Sequence, residues 1–171
     1  MNVFVIVLRL IHILSGVFWV GAAMVSAFFL SPALAATGEA GQKMMGHMVT
    51  KGRMSARITA AAILTVLAGG TLYLIDSGGL TSSWTSSAAG WGFGIGGVFA
   101  LIGLGAGMVV GRSVHKLGEI AAAAQGKPSP SQVAEMQAAQ KQMSLASQIS
   151  TVALIIALVC MATARYWGGL A

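Results

Sequence analysis

The chain has 171 residues, of which 56% are hydrophobic and only 8% charged, whereas soluble domains carry about 25% charged residues. Its formal net charge of +6 comes from basic residues set beside apolar runs rather than along one solvated face, which argues against a nucleic-acid partner and marks the cations as topology signals. The composition predicts an all-α integral membrane protein, one domain over residues 1–171, with the lipid bilayer as its first partner.

The first apolar run, 3–30, opens with "RLIHILSG" at 9–16 and so carries an arginine and a histidine one helical turn apart. Moving a basic group out of water costs several kcal/mol, and an ionisable residue inside a span is a candidate functional group. "SPALAA" at 31–36 looks like a signal-peptidase site. The run before it is about twice the usual signal length, holds Arg9 and His12 and lacks a basic start, so residues 1–30 are expected to stay as a helix. Further spans are expected over 55–76, 91–113 and 147–167, each close to the roughly 20 residues that cross a bilayer.

"SGGLTSSWTSSAAG" at 77–90, between the second and third spans, has no Lys or Arg and reads as a flexible turn. The other two connections hold Lys43, Lys51, Arg53 and Arg57, and Arg112, Lys116, Lys127 and Lys141. The positive-inside rule puts both in the cytoplasm and both termini outside, with the membrane crossed four times. Trp84, Trp91, Tyr166 and Trp167 then fall at the outer edge, where an aromatic belt is expected.

Breakers on the inner side are few: "TGEAG" at 37–41 and "QGKPSPS" at 125–131. Gly126 suits a helix C′ position with Pro128 beyond it, and Ser129, Pro130 and Gln132 read as N-cap, N1 and N3 of a capping box. The predicted helices are therefore 3–36, 41–76, 90–125 and 130–167. Each is roughly 50 Å long, against a hydrocarbon core of ~30 Å. The expectation is an up-down four-helix bundle whose long helices project into the cytoplasm.

The chain has three histidines: His12, His47 and His115. On parallel helices, His12 and His115 differ in depth by roughly 22 Å, so they cannot share an iron whose nitrogens lie within ~2 Å of it. His47 and His115 fall at similar heights and can form a pair. Gly16 and Trp19 follow His12 at i+4 and i+7, offering reduced bulk and a flat wall to a planar macrocycle. Arg9, a turn outward, and Arg165, at the outer end of the last span, suit anionic groups such as propionates. The bland alternative pairs Arg9 with Asp76 or lets it snorkel outward, and hydrogen-bonds His12 to a neighbouring carbonyl.

Helix 3 spaces Gly103, Gly107 and Gly111 by four and continues to His115. This reads either as close small-residue packing, within the chain or across a dimer, or as space for a ring near His115 and His47. "KMMGHMVTKGRM" at 43–54 gathers Met44, Met45, Met48 and Met54 around His47, a set whose thioethers and imidazole suit Cu(I) but whose spacing is irregular. Arg53 and Arg57, four apart, form a one-faced basic pair for lipid phosphate or for the propionates of an inner haem. Cys160 is alone and no Cys-x-x-Cys-His occurs, which rules out covalent c-type haem attachment. With four acidic residues in total, a buried carboxylate relay for proton-driven transport is not expected.

At "RLIHILSGVFWVGAAMVSAFFLSPAL" the chain resembles a loose group of small bacterial membrane proteins. The group includes HemJ-type protoporphyrinogen IX oxidases, CopD-type copper-resistance proteins and related uncharacterised integral membrane proteins. The shared elements are a first-helix His-Ile, a Trp seven residues later, a nearby Gly and a Pro closing the helix: His12, Trp19, Gly21 and Pro32 here. In the HemJ-type proteins the first-helix histidine is taken to ligate b-type haem, a role the resemblance would put on His12. Their pattern sets the proline nearer the histidine and follows it with arginine, where this chain reads Pro32-Ala33-Leu34.

The expected function is therefore b-type haem binding in electron transfer or a haem-linked redox step, as a membrane oxidoreductase or its electron-transfer subunit. His12 is the principal ligand, and His47 and His115 offer a second haem site with Arg53 and Arg57 beside it. The alternatives are a copper-handling protein, or a non-redox structural subunit acting as a homodimer or within a larger membrane complex.

Overall fold

A backbone in hydrocarbon has no water to bond, so its N–H and C=O groups must pair within the segment, which here means helices. In the computed structural model, which describes residues 2–124 and 128–169, six α-helices follow one another: α1 Val3–Val25, α2 Ser31–Thr37, α3 Glu39–Thr50, α4 Met54–Asp76, α5 Ala88–Ala123 and α6 Pro130–Thr163. Among the described residues, four segments are long and apolar enough to cross a membrane: Val3–Thr37, Met54–Asp76, Ala88–Ala123 and Pro130–Gly168.

The Asn2 side chain caps α1 by accepting the Phe4 N–H at 3.0 Å. Pro32 does not close this helix. A π turn over Ser26–Leu30 joins α1 to α2, and the Ser31 N–H bonds back to the Ser26 carbonyl. Proline lacks an N–H and its ring presses on the carbonyl one turn earlier, here that of Phe28; the wider π turn leaves room for it. The helix stops at Gly38, whose φ of +54° is open to glycine at little cost. There α3 folds back on α2 so closely that a Cβ on Gly41 would stand 3.1 Å from Leu34 Cα and overlap the Thr37 hydroxyl.

The single helix expected over 41–76 is instead two, α3 and α4, broken at Lys51-Gly52-Arg53. The Lys51 and Gly52 N–H groups both close on the His47 carbonyl, at 2.9 and 3.0 Å. A Cβ on Gly52 would lie 2.6 Å from the Met48 carbonyl oxygen, so glycine makes this tight ending possible. Arg53 then takes a left-handed φ of 50°, at a cost of about 1 kcal/mol for an L side chain, and its carbonyl accepts the Arg57 N–H at 3.0 Å.

The 77–87 connection is tied by its own hydrogen bonds and ring contacts. The Ser77 hydroxyl, fully buried, accepts the Leu80 N–H at 3.1 Å, and Ser87 caps α5 by accepting the Gly90 N–H at 3.1 Å. Between them a 3-10 turn over Ser83–Ser86 sets Trp84 edge-on to Tyr73 and stacked on Phe93, with ring centroids 5.3 and 6.2 Å apart. α5 ends at Ala123, two residues short of expectation, and Gly126 and Lys127 lie outside the described residues. Ser129 and Gln132 form the capping box that opens α6, and its α-helical run ends at Thr163 in a 3-10 turn over Ala164–Gly169.

Two helix pairs dominate the packing, α5 with α6 and α1 with α4. On α6 a row of small buried residues spaced by threes and fours, Ala146, Ser150, Ala153, Ala157, Cys160 and, just beyond, Ala164, runs beside the buried Leu154. Facing them on α5 are Gly92, Gly96, Ala100 and Gly103. Absent side chains let the backbones approach, which is how helices gain van der Waals contact in lipid. A Cβ on Gly92 would stand 2.9 Å from Ala164 Cα, and one on Gly103 would stand 2.8 Å from Leu154 Cγ. The Ser150 hydroxyl crosses the seam to the Gly103 carbonyl at 2.9 Å.

The packing reading of the glycines thus holds at Gly103, but the seam follows 92, 96 and 103. A Cβ on Gly107 would meet only Ser150 Oγ, at 3.8 Å, and one on Gly111 would meet nothing within 4 Å. A spacing of four drifts about 40° per step on an α-helix, so the 103–107–111 row turns away from α6.

Replacing Gly92 by Ala forces Ala164 backbone to move and should lower unfolding stability in detergent by about 1–3 kcal/mol. Gly97→Ala adds its methyl to open space and should be neutral or slightly stabilising; thermal unfolding of the two variants checks the assignment of the seam.

Candidate functional site: the His12 seam between α1 and α4

α1 presents His12, Ser15 and Trp19 to its neighbours at helical spacing, and α4 answers with Ala61, Thr65 and Gly69. The His12 Nδ1 lies 2.8 Å from the Thr65 carbonyl oxygen. A carbonyl only accepts, so Nδ1 is the nitrogen that carries a proton, and in the neutral imidazole the lone pair sits on Nε2. Gly69 makes the approach possible: a Cβ there would be 2.6 Å from His12 Cε1 and 2.7 Å from Nδ1. One turn further along, the buried Thr65 hydroxyl reaches both Ser15 Oγ and the Ala61 carbonyl at 2.8 Å. Ser15 itself donates to the Ile11 carbonyl. The seam is a short polar ladder within two apolar spans.

Gly16 plays a different part from the one expected. Its missing side chain faces Thr65, whose Cγ2 would be 3.4 Å from a Cβ, and the glycine beside the imidazole is Gly69 on the other helix. Trp19 is 4% exposed and packs against Ala61, Ala62 and Leu154, so its ring belongs to the core that ties α1 to α4 and α6. Arg9, a turn before His12, is exposed, as is Arg165 in the final 3-10 turn. Among the described residues, the ion pairs do not include one between Arg9 and Asp76.

At the other end of the bundle His47 is exposed on α3. His115 is also exposed, its Nδ1 3.3 Å from Glu119 Oε1 one turn along α5. Arg53 and Arg57 are exposed at the start of α4, Arg53 as its N-cap residue in a left-handed conformation whose carbonyl accepts the Arg57 N–H. Met44 is exposed and Met45 and Met48 are half-buried on α3, while Met54 opens α4 beyond the break. Cys160 is buried in the α5–α6 seam. Among the described residues, no three or more His, Cys, Asp or Glu side chains gather into a group that could hold a metal ion.

Thr65 and Gly69 are the site residues that sequence reasoning missed. A signal was present, since "TVLAGG" places a hydroxyl and a glycine one turn apart inside an apolar span. What was lacking was the register that sets them against His12. No family model, curated protein or solved structure matches the chain.

Gly69→Ala drives a methyl into the imidazole and should break the His12–Thr65 bond. The expected loss is about 1–3 kcal/mol of stability, with a change in the His12 ring 15N shifts that report which nitrogen is protonated. The more exposed neighbour Gly70, with nothing within 4 Å of its added Cβ, should accept Ala without either effect.

Proposed function

We propose that this chain is a membrane-embedded b-type haem protein serving electron transfer or a haem-linked redox step, in which His12 Nε2 would hold the iron. The observation that supports this reading is the His12–Thr65 bond. Histidines that bind metal commonly donate their other ring N–H to a backbone carbonyl, which fixes the tautomer and orients the ring. His12 has that arrangement, with Nδ1 engaged at 2.8 Å, and so the donor chemistry fits an imidazole that would hold a haem iron through Nε2. Arg9 and Arg165 are the basic groups assigned to the propionates. Bound haem would supply one-electron chemistry at its iron; the chain's part is to hold the imidazole and to keep the site within lipid. The proposal is confined to one haem, because the His115 imidazole is engaged by Glu119 and both His47 and His115 are exposed.

The finer topology belongs to the same proposal: an up-down four-helix bundle in a bacterial inner membrane, with both termini outside and the basic ends of the helices in the cytoplasm. It functions as a homodimer or as a subunit of a larger membrane complex.

A second reading rests on the same bond. Interhelical hydrogen bonds inside a bilayer add about 0.6–2 kcal/mol to helix association, so the ladder His12–Thr65–Ser15 can serve as a clamp in a non-redox structural subunit. A copper-handling role has less support, since the thioethers around His47 are divided between α3 and α4.

Oxidised and dithionite-reduced visible spectra of the purified chain, with a pyridine haemochrome assay, separate these readings. The haem reading expects a reduced b-type spectrum that is lost in His12→Ala, retained in His115→Ala and weakened in Arg9→Gln. A folded protein that takes up no haem under excess haem supply would leave the clamp.

A further inference from the structure

The break at Lys51-Gly52-Arg53 has a consequence for depth. α4 has 23 residues, whereas α5 has 36 and α6 has 34. At 1.5 Å per residue α4 is about 35 Å long, close to one hydrocarbon core, so both of its ends fall near a membrane surface. The helix ends near Asp76, Ala88 and Thr163 lie together: the ring of Tyr73 meets Trp84, and Gly92 packs on Ala164 and Trp167. Counting inward from that end, Arg57 lies about 28 Å away on α4, Arg112 about 36 Å on α5 and Lys141 about 33 Å on α6. The first cations met on three helices thus fall within about 8 Å of one another in depth, around the far surface of the bilayer.

At that level the α3–α4 corner carries Lys51, Arg53 and Arg57, all exposed. Among the described residues, Lys43 pairs with Glu39 at 2.9 Å and Lys116 with Glu135 at 4.0 Å, and the ion pairs include none of these three. Three uncompensated cations within seven residues, at headgroup depth, call for an anion that the membrane itself supplies. We propose that this corner binds the headgroup of an anionic phospholipid, with Arg53 and Arg57 on the phosphate and Lys51 beside it. The complementarity is electrostatic and local: a polybasic segment at an interface attracts anionic lipid, and zwitterionic headgroups lack the net charge. This assignment is independent of haem at His12.

The test uses the full chain in neutral detergent micelles, titrated with phosphatidylglycerol or with phosphatidylcholine and followed by thermal unfolding. Phosphatidylglycerol should raise the unfolding temperature and phosphatidylcholine should not. Arg57→Gln should weaken the phosphatidylglycerol midpoint about fivefold. Arg53→Gly is the more informative variant. It relieves the left-handed backbone at φ 50°, so it should unfold at a higher temperature than the parent without lipid, yet show the same fivefold loss of lipid response. Lys43→Gln, already paired with Glu39, should change the midpoint by less than about twofold. Equal responses to the two lipids, or a phosphatidylglycerol response unchanged in the Arg53→Gly, Arg57→Gln double variant, would overturn the assignment. So would an equal shift from inorganic phosphate at matched concentration, which would mark a free-anion site instead.

Discussion

Close backbone approach between α5 and α6 is the contact on which the rest of the molecule leans. In lipid there is no hydrophobic gain from bringing two apolar helices together, so association rests on dispersion and on a few interhelical hydrogen bonds. Both are strong only when backbones come near. The glycines of α5 and the alanines and serine of α6 permit that approach, and the Ser150–Gly103 bond uses it. Leu154 carries the effect onward. It is 1% exposed, fills the space left by Gly103 and also packs in the cluster of Trp19, Ala61 and Ala62. One leucine therefore couples the α5–α6 pair to the α1–α4 pair.

The second pair is joined by a different device. Where α5 and α6 use missing side chains along most of a seam, α1 and α4 use one missing side chain, at Gly69, to admit one ring. The ring then finds a backbone carbonyl whose helical partner occupies only one lone pair, so no helical bond is given up. A polar side chain in a span is costly when unpaired. This arrangement satisfies Nδ1 and leaves the chemistry of the imidazole concentrated in Nε2.

What was legible in the sequence was what depends on local pattern. The four apolar spans, the polar and Lys/Arg-free 77–90 connection and the Ser129–Gln132 capping box could all be read from neighbouring residues alone. The break at Gly52 could not, because a single glycine between helix-compatible residues is often tolerated within a helix; only the closing bonds to His47 show that it terminates one. The site was half legible. His12 stood out as a histidine among apolar residues, but its partners come from a helix some fifty residues away, and register between helices leaves no local trace. The same limitation misassigned Gly16, whose spacing to His12 is right while its facing is not. Trp19 illustrates the converse: an aromatic at helical spacing from a histidine looks like a cofactor wall until the packing shows what it fills.

The π turn before Pro32 also sets the angular phase of everything that follows it. Each residue of an α-helix turns the chain by about 100°, and a π turn spends one residue more than an α turn, so the faces of α2 are rotated relative to those of α1. The side that α1 gives to α4 is not continued along α2, which instead offers Leu34 and Thr37 to Gly41 on α3. The proline thereby works as a fixed swivel rather than a stop. Length changes of a single residue within 26–30 would preserve helicity while re-aiming the whole 31–50 hairpin around the axis of the first span. In that respect the segment is tuned in rotation, a property that neither hydropathy nor helix propensity measures.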